Sequence, residues 1–262
     1  MPKLVFFYPT LEPPKSPLLR GTLTQVTPFP LSQKALTPVP PLTRGARGVI
    51  DSQTAMPRID AMTTTLTTTV ENSPIVLHLK PIIDLTDDQF FKFCQINRDL
   101  RIERTATGEL LIMPPTGSET GNRNAKLIQQ LGNWSDADST GIEFDSSTGF
   151  KLPNGAERSP DAAWVKLERW NALTLEQQKK FAPICPEFVV ELRSPSDNLE
   201  PLKTKMQEYL ENGALLGWLI DRKNRQVYIY RPGVAVECLD NPATVSGESV
   251  LPGFVLDLSK IW

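Results

Sequence analysis

Two acidic residues lie at the ends of two short apolar segments, where their type and placement could support metal-assisted chemistry. Asp161 begins the segment Asp161–Val165, and Glu191 lies near the end of Phe188–Leu192. If these segments are antiparallel neighbours in a sheet, the start of one and the end of the other meet at the same edge. Carboxylate oxygens are ligands that Mg²⁺ prefers, and such an ion polarises a phosphodiester and activates a bound water. The sequence therefore predicts a cation site formed by Asp161 and Glu191.

The residues around Glu191 indicate a carboxylate in apolar surroundings. Period-2 alternation places Glu191 and Arg193 on one strand face and directs the flanking Val190 and Leu192 to the other. A buried carboxylate must be paired or bind a metal, because leaving it unpaired is too costly. Two other interpretations stay open. Glu191 and Arg193 could form a structural ion pair, and Asp161 could be a turn or strand-start residue.

Several other chemistries lack the residues they need. His78 is the single histidine and lies in a segment without a clear pattern, so a Ser-His or Cys-His triad has no base. The three cysteines are far apart in the sequence, which excludes a zinc site of the usual spacing. No Gly-rich phosphate loop or dinucleotide fingerprint is present.

Composition limits the class of protein. The net charge is −2, so the chain is not a generally basic nucleic-acid coat, although a nuclease can confine its positive charge to one cleft. Three scattered cysteines suit a reducing compartment better than a disulfide framework. No apolar run reaches the roughly 18 residues of a membrane span, and the N-terminus lacks the pattern of a signal peptide. We therefore expect a cytoplasmic protein that does not interact with a membrane.

The composition changes near residue 60. The first 60 residues hold 11 of the 24 prolines, and a Thr-rich stretch follows from Met62 to Val70. Because so many prolines oppose helix and central-strand structure, we expect residues 1–75 to be a disordered extension and residues 76–262 to form one domain. The methionines allow a second interpretation, in which translation starts at Met62 or Met56 and the upstream segment is not made.

Periodicity beyond residue 80 predicts alternating helices and strands. Helices are expected from Asp84 through Cys94, with Thr86 as N-cap, from Ser118 to about Trp134, and from about Leu199 to Asn212. Extended segments are expected at Glu109–Met113, Ile142–Leu152, Asp161–Val165, Phe188–Leu192, Leu216–Ile220 and Gln226–Tyr230. This order is typical of an α/β fold, with three to five mixed strands flanked by helices.

Four segments together carry a family resemblance. They are Ser159–Asp161, Pro186–Asp197, Lys205–Tyr209 and Gly217–Asp221. Over residues 80–262 the sequence resembles the Uma-type family of restriction-endonuclease-like proteins, which is common in cyanobacteria and belongs to the PD-(D/E)XK nuclease superfamily. The resemblance implies a restriction-endonuclease-like core, an endonuclease acting on DNA with Mg²⁺ (Mn²⁺ being able to substitute), and Asp161 and Glu191 as the metal ligands. A homodimer is expected because cutting both strands usually takes two sites.

The sequence departs from the family pattern two residues after Glu191. The family places a lysine there, whereas position 193 is arginine, which stays protonated and cannot act as a general base. Arg193 could still stabilise charge on the phosphate. Lys205 matches a lysine that the family carries before its tyrosine, so we expect it to be the migrated catalytic group. Lys203 is the alternative, since both lysines flank the apolar face of the predicted helix.

The remaining candidate ligand is Glu119, at the start of the helix after Pro114 and Pro115. The resemblance implies that it could complete the metal shell, and the alternative is a partner of the helix dipole. The carboxylates of Asp161 and Glu191 are expected about 4 to 6 Å apart if they share a cation.

The Glu-Leu-Arg triplet ending at Arg193 also keeps open a different function, in which a nuclease-like module has lost its chemistry and binds nucleic acid or a protein partner.

Overall fold

A mixed sheet of six strands carries both predicted acidic residues. The computed structural model describes residues 74–262, so the expected N-terminal extension, including the alternative starts, lies outside the described residues but for its last two. Across the sheet the strand order is β11 (Glu237–Asp240), β10 (Gln226–Tyr230), β9 (Leu216–Asp221), β8 (Phe188–Arg193), β7 (Ala162–Lys166) and β4 (Gly141–Asp145). Strands β8 and β9 are parallel and the other neighbours are antiparallel.

The pairing of β7 with β8 confirms the antiparallel arrangement expected for the two acidic segments. Ala162 lies opposite Val190, and Trp164 lies opposite Phe188. The regular ladder stops at Ala162, and the backbone N–H of Asp161 donates to the carbonyl of Val190 at 2.9 Å. The start of β7 and the end of β8 therefore meet at one edge, as predicted.

A second sheet of five antiparallel strands precedes Asp161 in the chain. Its order is β1 (Ile75–Leu77), β3 (Leu110–Met113), β2 (Arg101–Arg104), β6 (Glu157–Arg158) and β5 (Phe150–Lys151). The chain leaves this sheet after β6 and enters the six-stranded sheet at β7, with only residues 159–161 between them. Asp161 consequently lies where the two sheets meet.

Five helices and a small hairpin complete the described part of the chain. The helices are α1 (Asp87–Ile96), α2 (Ser118–Asp138), α3 (Leu167–Asn171), α4 (Leu175–Gln178) and α5 (Leu199–Glu211). The hairpin pairs β12 (Thr244–Ser246) with β13 (Val255–Asp257), and a 3-10 helix follows at Leu258–Lys260. Thr86 caps α1 as predicted, in a capping box with Gln89. Within residues 74–262, no helix has the length and apolar character needed to cross a membrane.

The two faces of the six-stranded sheet are covered by different elements. On one face, Phe188 and Val190 pack with Leu127 and Leu131 of α2 and with residues near the C-terminus. On the other face, Val189 packs in a cluster with two residues of α5, Met206 and Tyr209. Because Glu191 alternates with Val190, its side chain lies on the face that α5 covers.

The predicted α/β class is confirmed, but the strand number was wrong. The main sheet has six strands rather than three to five. The expected extended segment Ile142–Leu152 is divided between β4 and β5, which belong to different sheets. Strand β11 was missed because three of its four residues are exposed, which leaves no apolar alternation for the sequence to display.

Candidate active site

A cleft of about 1310 Å³ lies at the junction of the two sheets. Both sheets, the start of α2 and one side of α5 contribute to its walls. Asp161, Glu191, Lys205 and Glu119 line it, whereas Arg193 does not. Four of the five residues that the sequence singled out therefore share one cavity.

Asp161 is buried and held by three side-chain contacts. Its Oδ2 accepts a hydrogen bond from the backbone N–H of Leu192 at 2.8 Å. Its Oδ1 accepts from Nη1 of Arg101 at 3.2 Å and from Nδ2 of Asn124 at 3.3 Å. Because Asp161 bonds to Val190 through its backbone and to Leu192 through its carboxylate, it lies alongside Glu191.

Glu191 is 3% exposed and uses one oxygen for two contacts. Its Oε1 accepts from the hydroxyl of Tyr209 at 3.1 Å and lies 2.8 Å from Nζ of Lys205. Burial raises the pKa of Glu191 to about 7, and the negative charges of Asp161 and Glu103 add to the effect while Lys205 opposes it. Asp161 and Glu191 are therefore close enough for the charge of one to alter the ionisation of the other.

Lys205 is the lysine that reaches these carboxylates. It follows Thr204 on α5 and precedes Met206, whose burial fixes the rotation of the helix against the sheet. Its Nζ lies 2.8 Å from Oε1 of Glu103 as well as 2.8 Å from Oε1 of Glu191. Burial alone would lower the pKa of Lys205, but these two glutamates outweigh it and raise the pKa.

Lys203 also lines the cleft, but its ammonium group pairs with a different residue. Its Nζ pairs with Oε1 of Glu200 at 2.9 Å and lies 5.2 Å from the centre of the Tyr228 ring. The helical periodicity did not separate the two lysines, whereas the structure does. Of the two lysines, Lys205 contacts Glu191 and Lys203 does not in the described part of the chain.

Glu103 is part of the site although the sequence did not indicate it. It lies on β2, is 2% exposed, and accepts from Lys205 at 2.8 Å, from Nη1 of Arg158 at 3.2 Å and from the backbone N–H of Ser159 at 3.0 Å. Burial alone would raise the pKa of Glu103, but Lys205, Arg158 and Arg101 outweigh it and lower the pKa to about 2. The signal available in the sequence was the set of three charged residues among the four from Arg101 to Arg104, which is uncommon in a buried strand unless the charges are paired.

Arg101 is the second residue that the sequence did not indicate. It also lies on β2, and its guanidinium bonds to Asp161 and to the carbonyl of Ser159. Its Nε is buried without a hydrogen-bond partner among the described residues. Burial alone would lower the pKa of Arg101, but the charges of Asp161, Glu103 and Glu191 raise it, so the group stays positive beside the carboxylates.

Arg193 is not brought to the cleft. In the parallel register of β8 and β9 it lies opposite Asp221, and its Nη1 pairs with Oδ2 of Asp221 at 2.7 Å. Its Nε donates to the carbonyl of Asp197 at 3.0 Å. The expected approach of Arg193 to the position of Glu191 is therefore not seen, and neither is the alternative ion pair of Arg193 with Glu191, because the buried Asp221 is the nearer anion.

Glu119 lies at the rim of the cleft and is already paired. Its side chain is 62% exposed and its Oε1 lies 2.8 Å from Nη2 of Arg123 and 3.1 Å from Nη2 of Arg222. It is also the acidic residue in the first turn of α2, where a negative charge complements the helix dipole. The structure thus leaves Glu119 apart from the pair formed by Asp161 and Glu191.

The donor set near Asp161 suits a hard cation. Within residues 74–262, no three Asp, Glu, His or Cys side chains converge closely enough to hold an ion. Two carboxylates, those of Asp161 and Glu191, line the same cleft, and Oδ1 of Asn124, whose amide contacts Asp161, is buried without a hydrogen-bond partner in the described part of the chain. Carboxylate and amide oxygens are ligands of Mg²⁺ and Mn²⁺, so the residues present fit such an ion.

Comparisons with known proteins bear on both fold and family. No curated protein matches the chain. Among solved structures, the fold is similar to that of a putative nuclease belonging to DUF820 from Anabaena variabilis, with a TM-score of 0.55 and 19% sequence identity. The similarity covers 68% of this chain and 97% of that chain. At this identity it demonstrates a shared fold, in agreement with the expected mixed sheet flanked by helices.

The family is shown by the sequence itself. The model of the Uma2 family, described as "Putative restriction endonuclease", matches residues 87–259. That range contains Asp161 together with β2, β8 and α5, the three elements that carry Glu103, Glu191 and Lys205. The resemblance found in the sequence is confirmed, and since the match spans well over half of the chain, the chain belongs to the Uma2 family of putative restriction endonucleases.

Proposed function

We propose that this chain is a Mg²⁺-dependent endonuclease that hydrolyses phosphodiester bonds in DNA. The observation that carries the proposal is the convergence of Asp161, Glu191 and Lys205 in one cleft, although Asp161 precedes β7 and the other two lie on β8 and α5. An aspartate, a glutamate and a lysine at a sheet edge supply two metal ligands and one fixed positive charge, which is the set that phosphodiester hydrolysis needs.

Each residue has a distinct part in the proposed reaction. Asp161 and Glu191 would hold the ion, with Mn²⁺ able to replace Mg²⁺, and the bound ion would acidify a water and polarise the phosphate. Lys205, which stays protonated beside two carboxylates, stabilises negative charge that develops on the phosphate. Arg101 provides a second positive group on the same side of the cleft.

Two predicted site residues have supporting parts in this proposal. Glu119 can join the metal only after leaving Arg123 and Arg222. Arg193 fixes the turn that follows Glu191, because it bonds to both Asp221 and Asp197. A separation of about 4 to 6 Å between the carboxylates of Asp161 and Glu191 and assembly as a homodimer both stay predictions.

A plasmid-cleavage assay in Mg²⁺ and in Mn²⁺ tests the proposal. Asp161→Asn and Glu191→Gln keep the side-chain shape and are expected to reduce cutting by roughly 10²-fold or more, because each removes a charged ligand of the ion. Glu168→Gln, an exposed residue at the start of α3, is the matched control and should cut like the wild type. Equal cutting by all four proteins would show that the cleft is not the site of hydrolysis.

One observation favours a second function, a module that binds nucleic acid without cutting it. Arg193 stands where the family has a lysine, and Arg101 and Lys205 already neutralise the two proposed ligands. The cleavage assay, together with a fluorescence-anisotropy measurement of DNA binding, separates the two functions. Binding of DNA by the wild type with no metal-dependent cutting above the Glu191→Gln background would favour the module that has lost its chemistry.

A further inference from the structure

Lys205 lies between two buried carboxylates that belong to different sheets. Its Nζ is 2.8 Å from Oε1 of Glu103, on the five-stranded sheet, and 2.8 Å from Oε1 of Glu191, on the six-stranded sheet. The lysine side chain is 14% exposed and the two glutamate side chains are 2% and 4% exposed. A single ammonium group is thus shared at equal distance by two anions in a nearly dry setting.

The two carboxylates differ in what else holds them. Glu103 has two further donors, Nη1 of Arg158 and the backbone N–H of Ser159. Among residues 74–262, Glu191 has only the neutral hydroxyl of Tyr209 as a further donor on Oε1. Glu103 is therefore the better-anchored anion, and Glu191 is the one whose partner can be exchanged at lower cost.

A divalent cation on Glu191 would compete directly with Lys205. The ion and the ammonium group have the same sign and would approach the same carboxylate, so they repel each other. A buried ammonium that loses its partner is strongly destabilising unless another anion is at hand. Glu103 is that anion, already within hydrogen-bond distance of Nζ.

We propose that Glu103 is a positioning residue that retains Lys205 in the cleft when Asp161 and Glu191 bind a divalent cation. This inference rests on the proposed metal site. Without Glu103, metal binding would leave the ammonium of Lys205 buried without a carboxylate, and that cost would appear as weaker metal binding. Glu103 itself contacts neither the ion nor the phosphate in this scheme.

The bond from Ser159 extends the positioning effect to the second metal ligand. The backbone N–H of Ser159, two residues before Asp161, donates to Oε1 of Glu103, the same oxygen that Lys205 contacts. One carboxylate therefore connects the lysine of α5 to the segment that carries Asp161. Glu103 would also stabilise the fold if it merely joined α5 to the sheets. The test must therefore separate a role in positioning Lys205 from a role in stability.

Titration calorimetry with Mn²⁺ on four proteins makes that separation. Glu103→Gln is expected to weaken Mn²⁺ binding roughly tenfold or more, because Lys205 then has no second carboxylate. Lys205→Met removes the competing cation and should bind Mn²⁺ at least as tightly as the wild type. The double variant should match Lys205→Met, since without the lysine there is no charge for Glu103 to retain.

Glu208→Gln is the matched control. Glu208 also pairs with Arg158, at 2.6 Å, but it does not contact Lys205 in the described structure. It should bind Mn²⁺ like the wild type, with circular dichroism confirming that every variant is folded. If Glu103→Gln does not fold, Glu103→Asp keeps the charge with a shorter reach to Nζ and should weaken Mn²⁺ binding in the same Lys205-dependent way.

Three results would overturn the inference. A Glu103→Gln defect that persists in the Lys205→Met background would mean that Glu103 only supports the fold. Unchanged Mn²⁺ affinity in Glu103→Gln, with normal binding by the wild type, would remove the positioning role and leave the proposed nuclease intact. No Mn²⁺ binding by the wild type would remove the metal chemistry and this inference together.

Discussion

At the scale of single residues, the ionisation of Glu191 links metal binding to pH. Its pKa is raised to about 7, first by burial and then by Asp161 and Glu103. Below that pH the metal-free carboxyl group is mostly protonated, and a metal can bind only after displacing the proton. Mn²⁺ affinity should therefore fall about tenfold per pH unit below about pH 7 and level off above it.

Calorimetry between about pH 5.5 and pH 8 measures this dependence. Repeating the titration near pH 7 in buffers of different ionisation enthalpy counts the proton released on binding. Release of a proton by the wild type and none by Glu191→Gln would agree with Glu191 as the group whose proton the metal displaces. An affinity that stays constant across the range would contradict it.

Arg193 is expected to contribute mainly to the stability of the fold rather than to the chemistry in the cleft. Arg193 pairs with Asp221, whose side chain is fully buried, so Arg193→Ala leaves a buried carboxylate short of its counter-charge. Removing one partner of such a pair costs roughly 3 kcal/mol or more. Urea denaturation should show this loss for Arg193→Ala and much less for Arg98→Ala, at an exposed residue after α1. Equal urea midpoints for Arg193→Ala and Arg98→Ala would mean that the Arg193–Asp221 pair contributes nothing to stability.

The sequence predicts the two acids but not the residues that surround them. Asp161 and Glu191 could be found because each adjoins a short apolar strand, and two antiparallel strands bring their opposite ends together. Glu103 and Arg101 could not, because their partners are distant in the chain, with 102 residues separating Glu103 from Lys205 and 60 separating Arg101 from Asp161. The partner of Arg193 depended on the parallel register of β8 and β9, which no local pattern encodes.

At the scale of elements, the position of α5 decides whether Lys205 reaches the cleft. The helix packs against β9 through Met206, and Gly217 on β9 leaves room for it. A Cβ at position 217 would lie 2.5 Å from Cε of Met206 and 3.4 Å from Cγ2 of Val189. The missing side chain at this strand position therefore lets the helix lie close to the sheet.

Gly217→Ala should consequently destabilise the fold by about 1 to 3 kcal/mol through overpacking. Met206→Ala alone should cost roughly 2 to 5 kcal/mol by leaving a cavity. The double variant should lose less than the sum of the two, because the new methyl group occupies part of the cavity. Denaturation of all three variants measures this coupling, and strict additivity would show that residues 206 and 217 do not share the space.

Elements with a buried apolar pattern were predictable, and exposed edges were not. Strands β8 and β9 have five and six buried residues, and their sequences are correspondingly apolar. Strand β11 has none and was not expected, whereas β4, with four half-buried residues and one exposed residue, was expected only as part of a longer extended segment. Strand β6 has two buried residues, both charged, and each forms an ion pair with a residue of β2. Hydrophobic periodicity carries no information about such strands.

At the scale of the whole molecule, the charge opposes nucleic-acid binding in the absence of metal. Residues 74–262 carry 21 lysines and arginines against 26 acidic residues, and the cleft itself is lined by seven acidic and four basic side chains. Phosphate groups are repelled by such a surface. We therefore expect labelled DNA to bind weakly in EDTA and clearly more tightly with Ca²⁺, measured by fluorescence anisotropy. Tight, steeply salt-dependent binding in EDTA would contradict this prediction.

The tryptophans are distributed unevenly between the two sheets. Trp164 and Trp218 lie in the core of the six-stranded sheet, Trp134 and Trp262 pack against that core, and Trp170 packs against a smaller cluster that joins two residues of β7 to Phe150 of β5. The cluster formed by α1 and the five-stranded sheet contains none, and the chain has no other tryptophan. Intrinsic fluorescence thus reports mainly on the six-stranded sheet, whereas far-ultraviolet circular dichroism reports on both sheets. If fluorescence and circular dichroism gave different denaturation curves, the two sheets would unfold independently. The separation between the curves would then be a direct optical measure of how firmly the two sides of the cleft are held together.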